Sequence, residues 1–265
     1  MITQPEAAAP QEALPPVPWQ RTPARATRRR RDPITQEAIV ETALRILDSE
    51  GLNGLSMRRI ADELDTGAAS LYWHVGSKDG LLDLLFDHVI GEQQVPGPEP
   101  ARWQEQLKQV ARTQRATILR HRDIVAVSLG RIPMGPHALR YSEAVLAILR
   151  AGGVPDWLAV AGQQLLIAVV NGFTLDEVSD GLPDGAQPAD GRPADGPADG
   201  APGGSGTAAQ PSPDAASNYL ASLPAAQFPN LTDLASHFGD VEPDERFGLL
   251  LDIFVGGLVQ HAAAG

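Results

Sequence analysis

The chain has 265 residues, enough for one large domain or two ordinary ones, and 43% of them are hydrophobic, enough for a real core. There is no cysteine, which excludes disulfides and thiolate chemistry, and the N-terminus has no apolar run of the kind a secretory signal needs. The net charge of −12 argues, taken alone, against a nucleic-acid partner, yet the charge is unevenly spread.

Residues 1–33 carry six arginines (21, 25, 28, 29, 30 and 31) against Glu6, Glu12 and Asp32, a local balance of +3. Residues 34–91 balance at −6, residues 92–180 at zero and residues 181–265 at −9. Positive charge is thus gathered in one short arm, the pattern of a basic tail seeking a polyanion. The arm is Pro- and Ala-rich and without periodicity, and we read it as disordered.

From Thr35 the pattern becomes helical. Ile39, Ala43, Ile46 and Leu47 fall on one helix face, with Thr35 as N-cap and Gly51 as the stop. Ser56 caps a second helix, MRRIADEL, whose Ile60, Ala61 and Leu64 point inward. Asp65-Thr66-Gly67 makes a tight link to a short third helix over 68–75. Ser77 then caps a fourth, near 78–92, with Leu81, Leu82, Leu85, Val89 and Ile90 at helical spacing. Two short helices joined by a tight turn form a helix-turn-helix, and Leu55, Ile60, Leu64 and Leu71 would lock the crossing. The outward face of the third helix would carry Ala68, Ala69, Ser70, Tyr72, Trp73 and His74. That places two scarce rings side by side in a chain with four tryptophans and three tyrosines.

VPGPEP (95–100) breaks the pattern, and helices follow near 101–120, 123–129, 136–151 and 156–179. In 136–151 the apolar side is Leu139, Ala144, Val145, Ile148 and Leu149. Residues 157–175 carry no charge over a length that could span a bilayer. Gln163, Gln164 and Asn171 within it, and Asp156 and Asp176 at its ends, favour a buried helix and no membrane partner. Residues 181–217 repeat a PADG unit and read as a flexible, disordered loop. Short helices at 218–223 and 231–238 precede a last helix over 244–263, with Phe247, Leu250, Leu251, Phe254, Val255 and Leu258 on its apolar face. The expected fold is all-α: a helix-turn-helix domain over 34–80 and a second helical domain over 81–265, whose regulatory and dimerisation role is implied by the resemblance described next.

The stretch ITQEAIVETALRILDSEGLNGLSMRRIADELDTGAASLYWHVGSKDGLLDLL resembles the DNA-binding domain of the tetracycline repressor (TetR) family. The GL-S-MRRIA helix, the LYWHV core and the following K-x-x-L-L-D stand at family spacing. WQEQLKQVARTQRATILRHRDIVAVSLG is similar to the family's regulatory domain, and the resemblance covers residues 34–180 and 215–263. It implies a third helix lying in the DNA major groove. Arg58 would reach a base edge or phosphate, and Ala68, Ala69 and Ser70 would face bases. Tyr72, Trp73 and His74 would meet the sugar–phosphate backbone, and Lys78 would hold a phosphate. The chemistry suits those roles, since Arg pairs with guanine, small apolar groups with a thymine methyl, and hydroxyl, indole and imidazole donors with phosphate. Ala68 and Ala69 replace bulkier polar and proline residues, so the operator is not given by analogy. The arm falls outside the resemblance; read by itself, Arg28, Arg29, Arg30 and Arg31 would enter the minor groove, with a solubilising tail as the alternative.

The resemblance further implies a homodimer through the helices at 156–179 and 244–263, where Gly256 and Gly257 would permit close approach. Two reading heads would then meet a palindromic operator in double-stranded DNA. Gln94 and Ser128 stand where the family's namesake holds a magnesium–drug chelate with histidines, and Val110, Gln114 and Arg131 replace further drug contacts. This implies an effector other than tetracycline, no metal and no cofactor. Gln114, Ser128, Arg131, Gln164 and Asn171 interrupt apolar helices and are candidate pocket groups for an amphipathic small molecule of unknown identity. The fourth helix would act as the lever between the sites. His121, Asp123 and Ser128 suggest a hydrolase only weakly. There is no G-x-S-x-G elbow or phosphate-cradling glycine loop, and Asp123 reads as an N-cap, so no catalytic residue is expected. The expected function is a cytoplasmic, dimeric, ligand-released repressor, with an activator or protein-controlled regulator of the same fold as the alternative.

Overall fold

The computed structural model describes residues 34–121, 123–180 and 213–264. Arg28–Arg31, with the rest of the arm, and most of the PADG segment lie outside these residues. Side-chain caps set the first helices. The Ala38 N–H donates to Thr35 Oγ1 (3.1 Å) at the start of α1 (Gln36–Glu50), and Gly51, at φ 74°, ends it with its own N–H on the Leu47 carbonyl. Ser56 Oγ accepts from the Arg59 N–H (3.1 Å) at the start of α2 (Met57–Glu63). Asp65, at φ 47°, turns the chain into α3 (Ala68–Val75). Ser77 Oγ accepts from the Gly80 N–H (2.9 Å) at the start of α4 (Lys78–Gly91). Ile39, Ala43, Leu47, Leu55, Ile60 and Leu71 are buried between α1, α2 and α3, and Leu64 packs against them, as expected.

After a 3-10 turn at Pro100–Arg102 come α5 (Trp103–Arg120), α6 (Ile124–Ser128), α7 (Pro136–Ala151) and α8 (Asp156–Asp180). Then follow α9 (Pro213–Ala221), α10 (Pro229–Asp233), a 3-10 turn at Ala235–His237 and α11 (Pro243–Ala264). No strand occurs among the described residues, so the all-α expectation holds. Two apolar clusters form. One gathers α1 to α3 with Leu81, Leu82, Leu85 and Val89 of α4 and Ile124, Val125 and Val127 of α6. The other gathers α5, α7, α8 and α11, and Ile90 of α4 joins it. Helix α4 therefore runs from one core into the other.

Polar ties fix that crossing. The buried Asp87 carboxylate of α4 accepts from the N–H groups of His137 (3.3 Å) and Ala138 (2.9 Å), which begin α7. A Cβ on Gly135 would fall 2.1 Å from Asp87 Cγ, so only glycine allows this approach. His121 sits between Asp48 of α1 and Glu92 beyond α4, at 3.1 Å from each. Arg115 of α5 binds Glu177 of α8 and Asp244 of α11, beneath the rings of Phe173 and Phe247. These carboxylates, Glu177 first, hold its guanidinium above its usual range.

Three expectations are corrected. Asp123 precedes α6 but does not cap it; at φ 58° its carboxylate turns away and accepts from the Leu52 N–H at 2.7 Å. Leu139 is on the outside of α7: the buried face keeps the expected Val145, Ile148 and Leu149 but continues through Tyr141 and Ala138 instead of Ala144 and Leu139. Helix α8 is buried on one face only, with Trp157, Val160 and Leu165 exposed on the other. Within the chain α8 and α11 approach at Gly162, against Leu258, whereas Gly256 and Gly257 face open space, as an approach by a second copy would require. In addition, the low-complexity segment expected to reach 217 stops earlier, since α9 starts at Pro213.

Candidate functional site

Helix α3 buries Leu71 and Val75, four residues apart, and this phase decides what faces out. Ala69 is exposed, as are Tyr72 and Trp73 at 47% and 43%. Large rings left this open on a short helix mark a surface that meets something. Ser70 and His74 are half-buried, and Ala68 leans on the core. The Trp73 and His74 rings meet edge to face with centroids 4.9 Å apart, so each limits the other's rotation. Gln36 Nε2 of α1 donates to the His74 carbonyl (3.1 Å), holding the end of α3.

Two exposed cationic side chains lie on the helices packed against α3. Arg58 is exposed on α2 and has no ion pair among the described residues, whereas its neighbour Arg59 is held by Glu50 (2.8 Å) and Glu63 (2.7 Å). The Glu50 hydrogen bond above all keeps the Arg59 guanidinium above its usual range, and Arg59 in turn keeps the Glu63 carboxyl below its own. Helix phase thus frees Arg58 and commits Arg59 to the fold. Lys78 lies exposed at the start of α4. Arg58, Ala69, Tyr72, Trp73 and Lys78 are thus all exposed, on the three consecutive helices α2 to α4.

The five candidate pocket groups divide. Gln114 and Asn171 meet: Gln114 Nε2 donates to Asn171 Oδ1 (2.9 Å). A third member joins them, for the Tyr141 hydroxyl donates to Gln114 Oε1 (2.9 Å). Burial holds the Tyr141 phenol above its ordinary range. The expected apolar face of α7 included Val145, Ile148 and Leu149, all buried, but not Tyr141; the 138–141–145–148 spacing carries the signal. Ser128 is buried and its hydroxyl donates to the Val125 carbonyl (2.6 Å). Gln164 lies on the exposed stripe of α8, away from Gln114, and Arg131 reaches α4, bonding Asp79 and Asp83. An open groove of about 530 Å³ between α5 and the segment that follows α4 is lined by Glu92, Gln94, Val95, Pro96, Gln109 and Thr113. His121, Asp123 and Ser128 each hold separate partners and do not converge.

A helix-turn-helix joined to a second helical bundle, with no strand among the described residues, is the arrangement of a helical regulator of the nucleic-acid-reading class. Residues 39–85 match the family described as bacterial regulatory proteins, tetR family, and residues 95–261 match the family described as tetracyclin repressor-like, C-terminal domain. The chain belongs to the TetR family.

Among its relatives is an HTH-type transcriptional regulator of Saccharopolyspora erythraea, 38% identical over 148 residues, which are 55% of this chain and 60% of that one. The HTH-type transcriptional repressor DrrR1 of Streptomyces coeruleorubidus is 40% identical over 159 residues, 58% of this chain and 56% of the relative. The chain thus spans somewhat over half the length of these curated relatives. The crystal structure of ActR from Streptomyces coelicolor superposes with a TM-score of 0.73 at 41% identity, covering 89% of this chain and 99% of that one, and ActR has also been solved in complex with actinorhodin.

Proposed function

We propose that the protein is a dimeric, sequence-specific DNA-binding transcriptional repressor, released from a palindromic operator by a small molecule and acting in the cytoplasm. The observation that carries the reading is the α3 face: Ala69, Tyr72 and Trp73 are exposed on a helix whose C-terminal end is held by Gln36, with Arg58 exposed on α2 and Lys78 exposed at the start of α4. Rings and small side chains with flanking cations suit a groove edged by phosphates. Repression is supported by the relative DrrR1, named as a repressor.

Dimerisation is supported by the outward stripes of α8 and α11. Trp157, Val160 and Leu165 on one and Leu249 and Ile253 on the other are exposed apolar groups on adjacent helices, and Gly256 continues the α11 stripe. A contiguous patch of this kind is a docking surface, and a second copy is the occupant that a palindrome requires. The Tyr141–Gln114–Asn171 string is our proposed polar anchor for the effector, within the α5–α7–α8 bundle. That ActR, 43% identical here, has been solved with actinorhodin supports a small-molecule effector.

Selection of bound sequences from random duplex DNA, at two salt concentrations, tests the reading. The expected product is a palindrome with half-sites about one DNA turn apart or a multiple of it. Recovery of no specific sequence at low salt would overturn it.

A further inference from the structure

Arg131 belongs to the second helical region, yet its side chain is spent on the first turns of α4. Its Nη2 donates to Asp79 Oδ1 (3.0 Å), and its Nη1 donates to Asp83 Oδ1 (2.7 Å) and to the Asp79 carbonyl (3.2 Å). We propose that Arg131 is a positioning residue for DNA binding: it neutralises Asp79 and Asp83 so that the Lys78 end of α4 can lie against phosphate. The proposal rests on the reading of α3 and the start of α4 as the DNA surface.

The burial pattern supports it. Asp79 is 85% exposed beside Lys78, while Arg131 is only 19% exposed behind it. The anion is therefore on the surface and its counter-charge is supplied from within. Lys78, Asp79 and Asp83 together carry one negative charge, and with Arg131 they carry none. A helix N-terminus favours an anion whether it is a phosphate or a carboxylate, so an unpaired Asp79 competes with DNA for the same positive end. Repulsion of phosphates within a Debye length, ~10 Å at 0.1 M salt, adds to this.

The effect reaches α3 as well. A Cβ on Gly80 would lie 2.3 Å from the Val75 carbonyl, so the end of α3 and the first turn of α4 are in close contact and move together. The loop that carries Arg131 leaves α6 after Ser128 and turns at Gly130, φ 71°, with Leu129 and Ile132 exposed on either side. Any displacement of this loop removes a positive charge from the DNA-facing end of α4. The two functional regions are then linked by charge as well as by packing.

The test uses the full chain and a duplex selected for it from random DNA, with affinity measured at low and at physiological salt. Arg131→Gln is expected to bind about tenfold more weakly at low salt, with the difference narrowing as salt rises, since exposed electrostatics are screened. Adding Asp79→Asn and Asp83→Asn to that variant leaves the net +1 of Lys78 and is expected to return affinity to the wild-type level or above it, which loss of packing alone would not allow. Asp79→Asn alone keeps Arg131 in place and is expected to tighten binding at low salt. Wild-type affinity in Arg131→Gln, or a loss that the triple variant does not regain, would overturn the assignment; so would Asp79→Asn binding no tighter than wild type. Failure to select any duplex for the wild-type chain would instead overturn the DNA-binding reading, and this assignment with it.

Discussion

Arg58 and Arg59 are adjacent in sequence and opposite in use. Arg59 is tied to Glu50 and Glu63, and Arg58 has no ion pair among the described residues. Arg58→Ala is expected to leave the melting temperature within error and to weaken operator binding roughly tenfold, as removal of one bond to a base or phosphate does. Arg59→Ala is expected to do the reverse, lowering the melting temperature while sparing the salt dependence of binding. A melting curve and a binding isotherm for each variant separate the two roles. The same scale holds the Tyr141 prediction. Burial raises the phenol's pKa in the folded chain, whereas the unfolded chain ionises from about pH 10. The folded state therefore keeps its full stability below that pH and loses it as pH rises toward the folded value. Tyr141→Phe is expected to abolish this alkaline loss while costing about 1–3 kcal/mol at neutral pH, because Gln114 Oε1 is left buried without its donor. Denaturant titrations at neutral pH and just above pH 10 read both effects.

The α3–α4 corner is where a helix-scale change should be most damaging. Gly80→Ala places a Cβ against the Val75 carbonyl, and backbone cannot rotate away as a flexible side chain can. A loss of about 1–3 kcal/mol in stability is expected, with a further loss of DNA affinity because α3 is reoriented. Calorimetry alongside DNA binding distinguishes this from a surface change, which would alter neither. This corner also shows what the sequence could convey. Thr35, Ser56 and Ser77 each accept the backbone bond expected of them, because capping is local and depends on residues three apart. The helix-turn-helix and its exposed rings were legible for the same reason. Asp123 was misread because its partner, Leu52, is far away in the chain. Arg131 and Gln164 look like interruptions of apolar segments in sequence, but their surroundings are set by which helices pack together. Tyr141 went unseen because its hydroxyl looks polar in sequence and its partner, Gln114, is 27 residues away on another helix.

The whole molecule carries −12, yet the reading face must approach a polyanion. Removing residues 1–32 is expected to weaken DNA binding and flatten its salt dependence, by up to about 0.9 in log–log slope for each phosphate that the arm had neutralised. An unchanged slope would show that the arm does not touch DNA. The dimer reading has its own signature. A subunit that buries the α8 and α11 stripes should melt at a temperature that rises with protein concentration. Ile253→Asp, at a position 67% exposed in one copy, should yield monomers by sedimentation and lose cooperative binding to the palindrome. An unaltered sedimentation coefficient in that variant would place the interface elsewhere.

Arg115 bonds Glu177 and Asp244, which stand on either side of the long stretch between α8 and α11. One guanidinium therefore staples the two ends of that stretch at its base, between aromatic rings. Lengthening a closed loop adds only about 0.6 kcal/mol per doubling, so the bundle need not register how many residues lie beyond the staple. The site is accordingly suited to engineering. A fluorescent or affinity domain spliced between residues 188 and 200 should leave operator binding intact in wild type, and should become tolerated less well once Arg115 is removed.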